Sequence, residues 1–155
     1  ESMTTNGDLF FEDVEIGDDI GPLEMVISSD QVREFVEIWG NTTEPSRFTD
    51  KIIASEEGLP DPIVPGALNI AILSKLLTDW SKTIRIKTLD VIFRSLVFHN
   101  VSLTIQGIIT DAKELDGEAL LECDVFIKDQ EDINLVIGKA SIIVPIRENR
   151  TVLSG

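Results

Sequence analysis

The chain has 155 residues, 43% of them hydrophobic and 26% charged. That is the size and balance of one globular domain with a core of its own, and it excludes a disordered chain, a collagen-like repeat and a disulfide scaffold. A formal net charge of −15 repels nucleic-acid phosphates and anionic membrane surfaces at long range, so neither is an expected partner.

The charge is unevenly spread. Residues 1–60 hold fifteen acids and three bases, Arg33, Arg47 and Lys51. Five later bases, Lys75, Lys82, Arg85, Lys87 and Arg94, fall within twenty residues, where an anionic small molecule can still meet positive charge. The lone cysteine, Cys123, makes no internal disulfide, and no charged-then-apolar leader opens the sequence, which gives a reducing cytoplasm as the expected compartment. The longest apolar run, residues 67–77, is interrupted by Lys75 and falls short of the roughly 18 residues needed to cross a bilayer. Glu1 and Ser2 before Met3 read as the remnant of an expression tag, leaving residues 3–155 as a single domain. One histidine and one cysteine do not build a typical zinc site, and no phosphate-cradling glycine loop is present, so no metal or redox cofactor is expected.

In chain order, residues 9–11 or 23–27 supply an edge strand. Ser28 followed by Gln31 is a capping box, and Val32, Phe35, Val36 and Trp39 then recur on one helical face until Gly40 ends the pattern. Residues 40–66 carry too many prolines and glycines for one regular element, although residues 50–57 allow two helical turns. Long loops of this kind are often functional. Residues 67–80 predict a helix that is apolar nearly all the way round and so needs cover on several sides, with Pro65 and Gly66 at its start. Small residues there leave the first backbone amides open to an anion or a carbonyl. Residues 86–98, 101–110, 119–127 and 135–146 read as four long strands, the middle two joined by a turn at Asp116-Gly117. Cys123 falls on the apolar face of its strand and is expected to be a core residue.

One buried helix followed by four antiparallel strands predicts an α+β hot-dog fold, a curved sheet wrapped around a long central helix. An exposed sheet edge in such a fold calls for a partner subunit, so a dimer or higher oligomer is expected.

Five segments carry a resemblance: FFEDVEIGDDI, SSDQVREFVEIWGN, GLPDPIVPGALNIAIL, LDVIFRSLVF and VIGKASIIVP. In that order and spacing, over nearly the whole chain, they resemble the MaoC-like family, the (R)-specific enoyl-CoA hydratases and related acyl dehydratases. The resemblance implies handling of acyl thioesters of coenzyme A. The family segment resembles GDxNPxHxD, whose Asp and His hold a water and exchange protons with the substrate. Here the stretch from Gly40 to Asp50 keeps the glycine, the proline and the last aspartate, but Asn41 or Thr42 falls at the Asp position and Arg47 at the His position. An amide, a hydroxyl and a guanidinium do not exchange protons at neutral pH, so the family's hydration chemistry is not expected from this chain alone.

The resemblance places Val64, Pro65, Gly66 and Ala67 at the thioester carbonyl, with Pro65 standing where the family often has His and removing one donor. Arg47 joins this substrate-binding set, and Lys82, Arg85 and Arg94, with Arg47, are candidates to meet coenzyme A phosphates. Glu44 and Asp50, and beside them Glu56, are carboxylates that a thioesterase of this fold would use to activate water. His99 reads as a surface turn residue. Three functions remain open: a non-catalytic subunit beside a catalytic MaoC-like partner in fatty-acid or steroid side-chain metabolism, a self-sufficient hydratase or thioesterase using Glu44 or Asp50, and a homodimeric acyl-CoA binding or sensing protein.

Overall fold

The computed structural model describes residues 8–147; the tag reading of Glu1 and Ser2 lies outside them. Five strands form one antiparallel sheet, β1 (Asp19–Val26), β2 (Arg85–Phe93), β3 (Ser102–Leu115), β4 (Glu118–Lys128) and β5 (Asn134–Val144), in the order β1-β3-β4-β5-β2. Three helices precede β2: α1 (Ser29–Trp39), α2 (Lys51–Glu56) and α3 (Gly66–Trp80).

Local chemistry accounts for most of these boundaries. The Ser28 hydroxyl accepts from the Gln31 amide while the Gln31 side chain accepts from the Ser28 amide, so two of the donors at the start of α1 are satisfied reciprocally. Asp50 caps α2 by accepting from the Ile53 amide at 2.9 Å. Asp116 and Gly117 both take positive φ, 56° and 81°, the twist that a two-residue hairpin between β3 and β4 requires.

The apolar residues of the strands alternate as the period of two demands. Leu103, Ile105 and Ile109 on β3, Leu121, Cys123, Val125 and Ile127 on β4, and Val136, Ala140, Ile142 and Val144 on β5 are all buried in one core with Leu73, Leu76 and Leu77 of α3. Gly107 and Gly138 pair with Val125 from either side. A Cβ at either glycine would come within 3.2 Å of a Val125 methyl, so the row Gly107–Val125–Gly138 is narrow where the sheet bends over the helix.

Four expectations are adjusted. The edge strand is residues 19–26 rather than 9–11 or 23–27: residues 11–13 form a single 3-10 turn, and a bulge between Ile20 and Leu23 lets pairing with β3 begin earlier. The strand expected over residues 86–98 stops at Phe93, because the amides of Arg94 and Ser95 both donate to the Leu135 carbonyl and turn the chain away. The apolar face of α1 is buried only at Val32. Trp39 stays 69% exposed, with Phe35 stacked on it at 5.7 Å between ring centroids. Helix α3 is covered on its sheet side, but Ile70 is 39% exposed and Ala71 is open, since a five-stranded sheet reaches round only part of a helix about 10 Å across.

Candidate functional site

The start of α3 is where backbone, sheet and loop converge. Val64 is buried and donates its amide to the Val97 carbonyl at 2.8 Å, which fastens the chain just before the helix. Pro65 caps α3 in extended geometry, and its carbonyl accepts from the amides of Leu68 and Asn69. The amides of Gly66 and Ala67 therefore open the helix without an intrahelical partner, at its positive end. The tip of the Phe93 ring lies against Gly66, where an added Cβ would stand 3.1 Å from Cζ. One turn further in, Asn69 is 3% exposed and its Oδ1 has no hydrogen-bond partner.

The loop between α1 and α3 folds back beside this point. Ile63 donates its amide to the Arg47 carbonyl at 3.2 Å and bridges to Phe98 on the other side. The Arg47 guanidinium lies 5.0 Å from the centroid of the Phe48 ring and 3.3 Å from a Glu57 carboxylate oxygen. Asn41 takes a left-handed φ of 53° directly after the helix and is exposed. The Thr42 hydroxyl accepts from the Glu44 amide at 3.0 Å. A polar pocket of about 200 Å³ lies between this stretch and α1, lined in part by Arg33, Glu37, Thr42, Glu44 and Asp50.

The carboxylates named from the sequence are differently placed. Asp50 is engaged as a helix cap, whereas Glu44 and Glu56 are exposed. The basic residues separate as well. Arg94 follows Phe93 at the α3 start, and Arg47 is linked to it through Ile63. Lys82 and Arg85 lie near the other end of α3; the nine residues of β2 separate Arg85 from Arg94 by up to about 30 Å. A cluster in sequence is thus two separate places in space.

Two features escaped the sequence reading. Phe93 was legible only as a strand residue, and its contact with Gly66 joins residues 27 positions apart. His99 is half-buried rather than a free surface residue: its ring is held between the Ser29 hydroxyl at 3.0 Å and the Ile63 carbonyl at 3.3 Å. Cys123 is buried, and desolvation, helped by Asp124 and Glu122, pushes its thiol up to about 12.

An antiparallel sheet in the order β1-β3-β4-β5-β2, curved over one long helix whose N-terminus opens beside a loop, decides the architecture. The chain has the MaoC-like hot-dog fold. Solved structures carry the likeness. An (R)-hydratase from A. caviae involved in PHA biosynthesis superposes with a TM-score of 0.75 at 20% identity, covering 85% of this chain and 98% of that one. A MaoC-like dehydratase from Rhodospirillum rubrum gives 0.77 at 16% identity, covering 90% and 98%. The ChsH1-ChsH2 complex from Mycobacterium tuberculosis gives 0.73 at 14% identity, covering 84% and 98%. No family model and no curated protein sequence matches the chain. Among the described residues of this hot-dog chain, no helix is long and apolar enough to cross a membrane, and no group of three His, Cys, Asp or Glu side chains is placed to hold a metal.

Proposed function

We propose that this chain belongs to the MaoC-like family and is the non-catalytic, acyl-thioester-binding subunit of an (R)-specific enoyl-CoA hydratase or 3-hydroxyacyl dehydratase complex. The observation that carries the reading is the pairing of a complete scaffold with a loop that has Asn41, Thr42 and Arg47 where the family's proton-exchanging Asp and His belong. General acid–base groups typically contribute about 10² to 10⁴ each, so a chain lacking both keeps the binding surface and loses the turnover. The Gly66 and Ala67 amides would receive the thioester carbonyl, with Val64 and Pro65 shaping the approach, and Arg47 and Arg94 would meet the phosphates of coenzyme A. A partner hot-dog supplies the missing acid and base.

The occurrence of this fold in the ChsH1-ChsH2 complex supports a partnership between two chains. The incompletely covered flank of α3 and the exposed apolar residues Ile92 and Phe93 at the β2 edge give a partner something to cover. In this reading the complex works on fatty or steroid side chains in a reducing cytoplasm, and this subunit brings no metal or redox cofactor of its own.

The test compares the chain alone with the chain co-purified with a catalytic MaoC-like subunit, following crotonyl-CoA hydration and recording mass in solution. Alone, it should bind butyryl-CoA without hydrating crotonyl-CoA; in the complex, it should raise turnover. Hydration by the isolated chain, abolished by Glu44→Ala, would instead establish a self-sufficient enzyme.

A further inference from the structure

A second cavity, of about 400 Å³, lies between the start of α1, the turn before β3 and the end of the loop. Its lining includes Ser29, His99 and Asn100, with Phe98 and Val101 as apolar wall. This cavity does not include the Gly66 and Ala67 amides and is a separate space from the site above, which it adjoins at the Ile63–Phe98 bridge.

The hydrogen bonds inside it select one tautomer of the neutral His99 ring. A carbonyl oxygen only accepts, so His99 Nε2 carries the proton that meets the Ile63 carbonyl at 3.3 Å. In a neutral ring Nδ1 is then the acceptor, and the Ser29 hydroxyl at 3.0 Å must donate to it. Asn100 Nδ2 donates in turn to Ser29 Oγ at 3.1 Å. The serine oxygen thus faces a base, the base is oriented by a third group, and a further donor is aimed at the oxygen. These are the relations that activate a hydroxyl nucleophile.

Ser29 is also the first residue of α1. The Gln31 amide is taken by Ser28 Oγ and the Val32 amide by the Ser28 carbonyl, which leaves the Ser29 and Asp30 amides as the orphan donors at the positive end of the helix. A nucleophile whose own N–H is such a donor has a place for a developing oxyanion beside it. The one carboxylate of the cavity lining, Asp61, is paired with Lys51 at 2.7 Å, so the space suits an uncharged acyl group.

We propose that Ser29 and His99 form a nucleophile–base pair that hydrolyses short, uncharged carboxylic esters. Ser29 Oγ bonds to the carbonyl carbon as its proton passes to His99 Nδ1. The bond from carbon to the leaving oxygen then breaks, and the alcohol departs with that proton. Water adds to the acyl-serine, giving its proton to His99, and the carbon–Oγ bond breaks to release the acid as Ser29 recovers the proton. No oxidant, reductant or metal enters the balance.

Native protein is treated with a fluorophosphonate and digested for mass spectrometry, and p-nitrophenyl acetate hydrolysis is followed in parallel. The expected result is one adduct, on Ser29, with ester hydrolysis that Ser29→Ala reduces to the background of uncatalysed reaction. His99→Gln retains an amide donor for the Ile63 carbonyl but accepts no proton, and should slow labelling about 100-fold. Absence of an adduct at Ser29 in the folded wild-type protein overturns the proposal, whether or not the variants fold. Equal labelling of a folded His99→Gln variant overturns it too. Neither result bears on crotonyl-CoA hydration or butyryl-CoA binding at the α3 start.

Discussion

Substitution of Gly66 by alanine tests the proposed carbonyl site with a single methyl group. The new Cβ would lie 3.1 Å from Phe93 Cζ and 3.6 Å from both Cε atoms, where carbon pairs prefer about 3.5–4.0 Å. The ring has to retreat by roughly half an ångström, and it is free to do so, because Phe93 ends an edge strand and is 48% exposed. Crowding of this kind costs about 1 kcal/mol, while replacing glycine in a helix returns up to about 1 kcal/mol. Stability should therefore change by no more than about 1 kcal/mol, a shift in Tm of roughly 2–4 °C for a chain of this length. If the thioester carbonyl docks at the Gly66 and Ala67 amides as proposed, a methyl on residue 66 crowds it. Losing one hydrogen bond there corresponds to about a tenfold weaker Kd for butyryl-CoA. Isothermal titration should show that loss, and adding Phe93→Ala should recover part of it. Unchanged affinity in Gly66→Ala would refute the placement of the carbonyl. A loss of stability above about 3 kcal/mol would refute the yielding ring.

Two further predictions concern charge and the thiol. Asp13 receives a two-pronged hydrogen bond from Arg147, both contacts at 2.9 Å, which holds its carboxyl below the ordinary value of 3.8. A lowered folded value stabilises above the unfolded one, so Asp13→Asn should destabilise the protein at pH 6, and the difference from wild type should shrink as pH falls below about 4. Thermal melts across that range decide it, and a difference that grows on acidification would contradict the assignment. For Cys123, a thiol pushed from 9.0 to about 12 has roughly 1,000-fold less thiolate at pH 8, so DTNB should react at least that much more slowly with native than with guanidinium-unfolded protein. Native reactivity within tenfold of the unfolded rate would show that the β4 core opens readily.

Elements whose cause is local were legible in the sequence. The capping box of α1, the Asp116-Gly117 turn and the alternation along β3 to β5 each arise from residues a few positions apart, and each is found where the pattern puts it. The strand ending at Phe93 was not legible, because what ends it is the Leu135 carbonyl more than forty residues away. Nor was the exposure of Trp39, since an amphipathic face records that a surface is apolar, not that this chain covers it. At the candidate site, the proline and glycine made the start of α3 legible, whereas the naming of Val64 to Ala67 as a set came from the family resemblance. The division of Arg94 from Lys82 and Arg85 depended on the chain between them being an extended strand, and the Ser29–His99 contact spans 70 residues that no spacing rule relates.

The loop from Gly40 to Ile63 is hydrogen-bonded to the rest of the fold at its margins, with Phe48 packed on the core between them. Gly40 is tied to Val36, Ile63 to Arg47 and Phe98, and Val64 to Val97. Its interior contacts are made mainly within itself, through Asp50 with Ile53, Lys51 with Asp61, and Arg47 with Glu57. Replacements at the exposed positions of such an enclosure, Asn41, Thr42 and Glu44 among them, touch neither the sheet nor its helix, so the chemistry a chain performs there can lapse or change over generations while its architecture goes on being inherited whole.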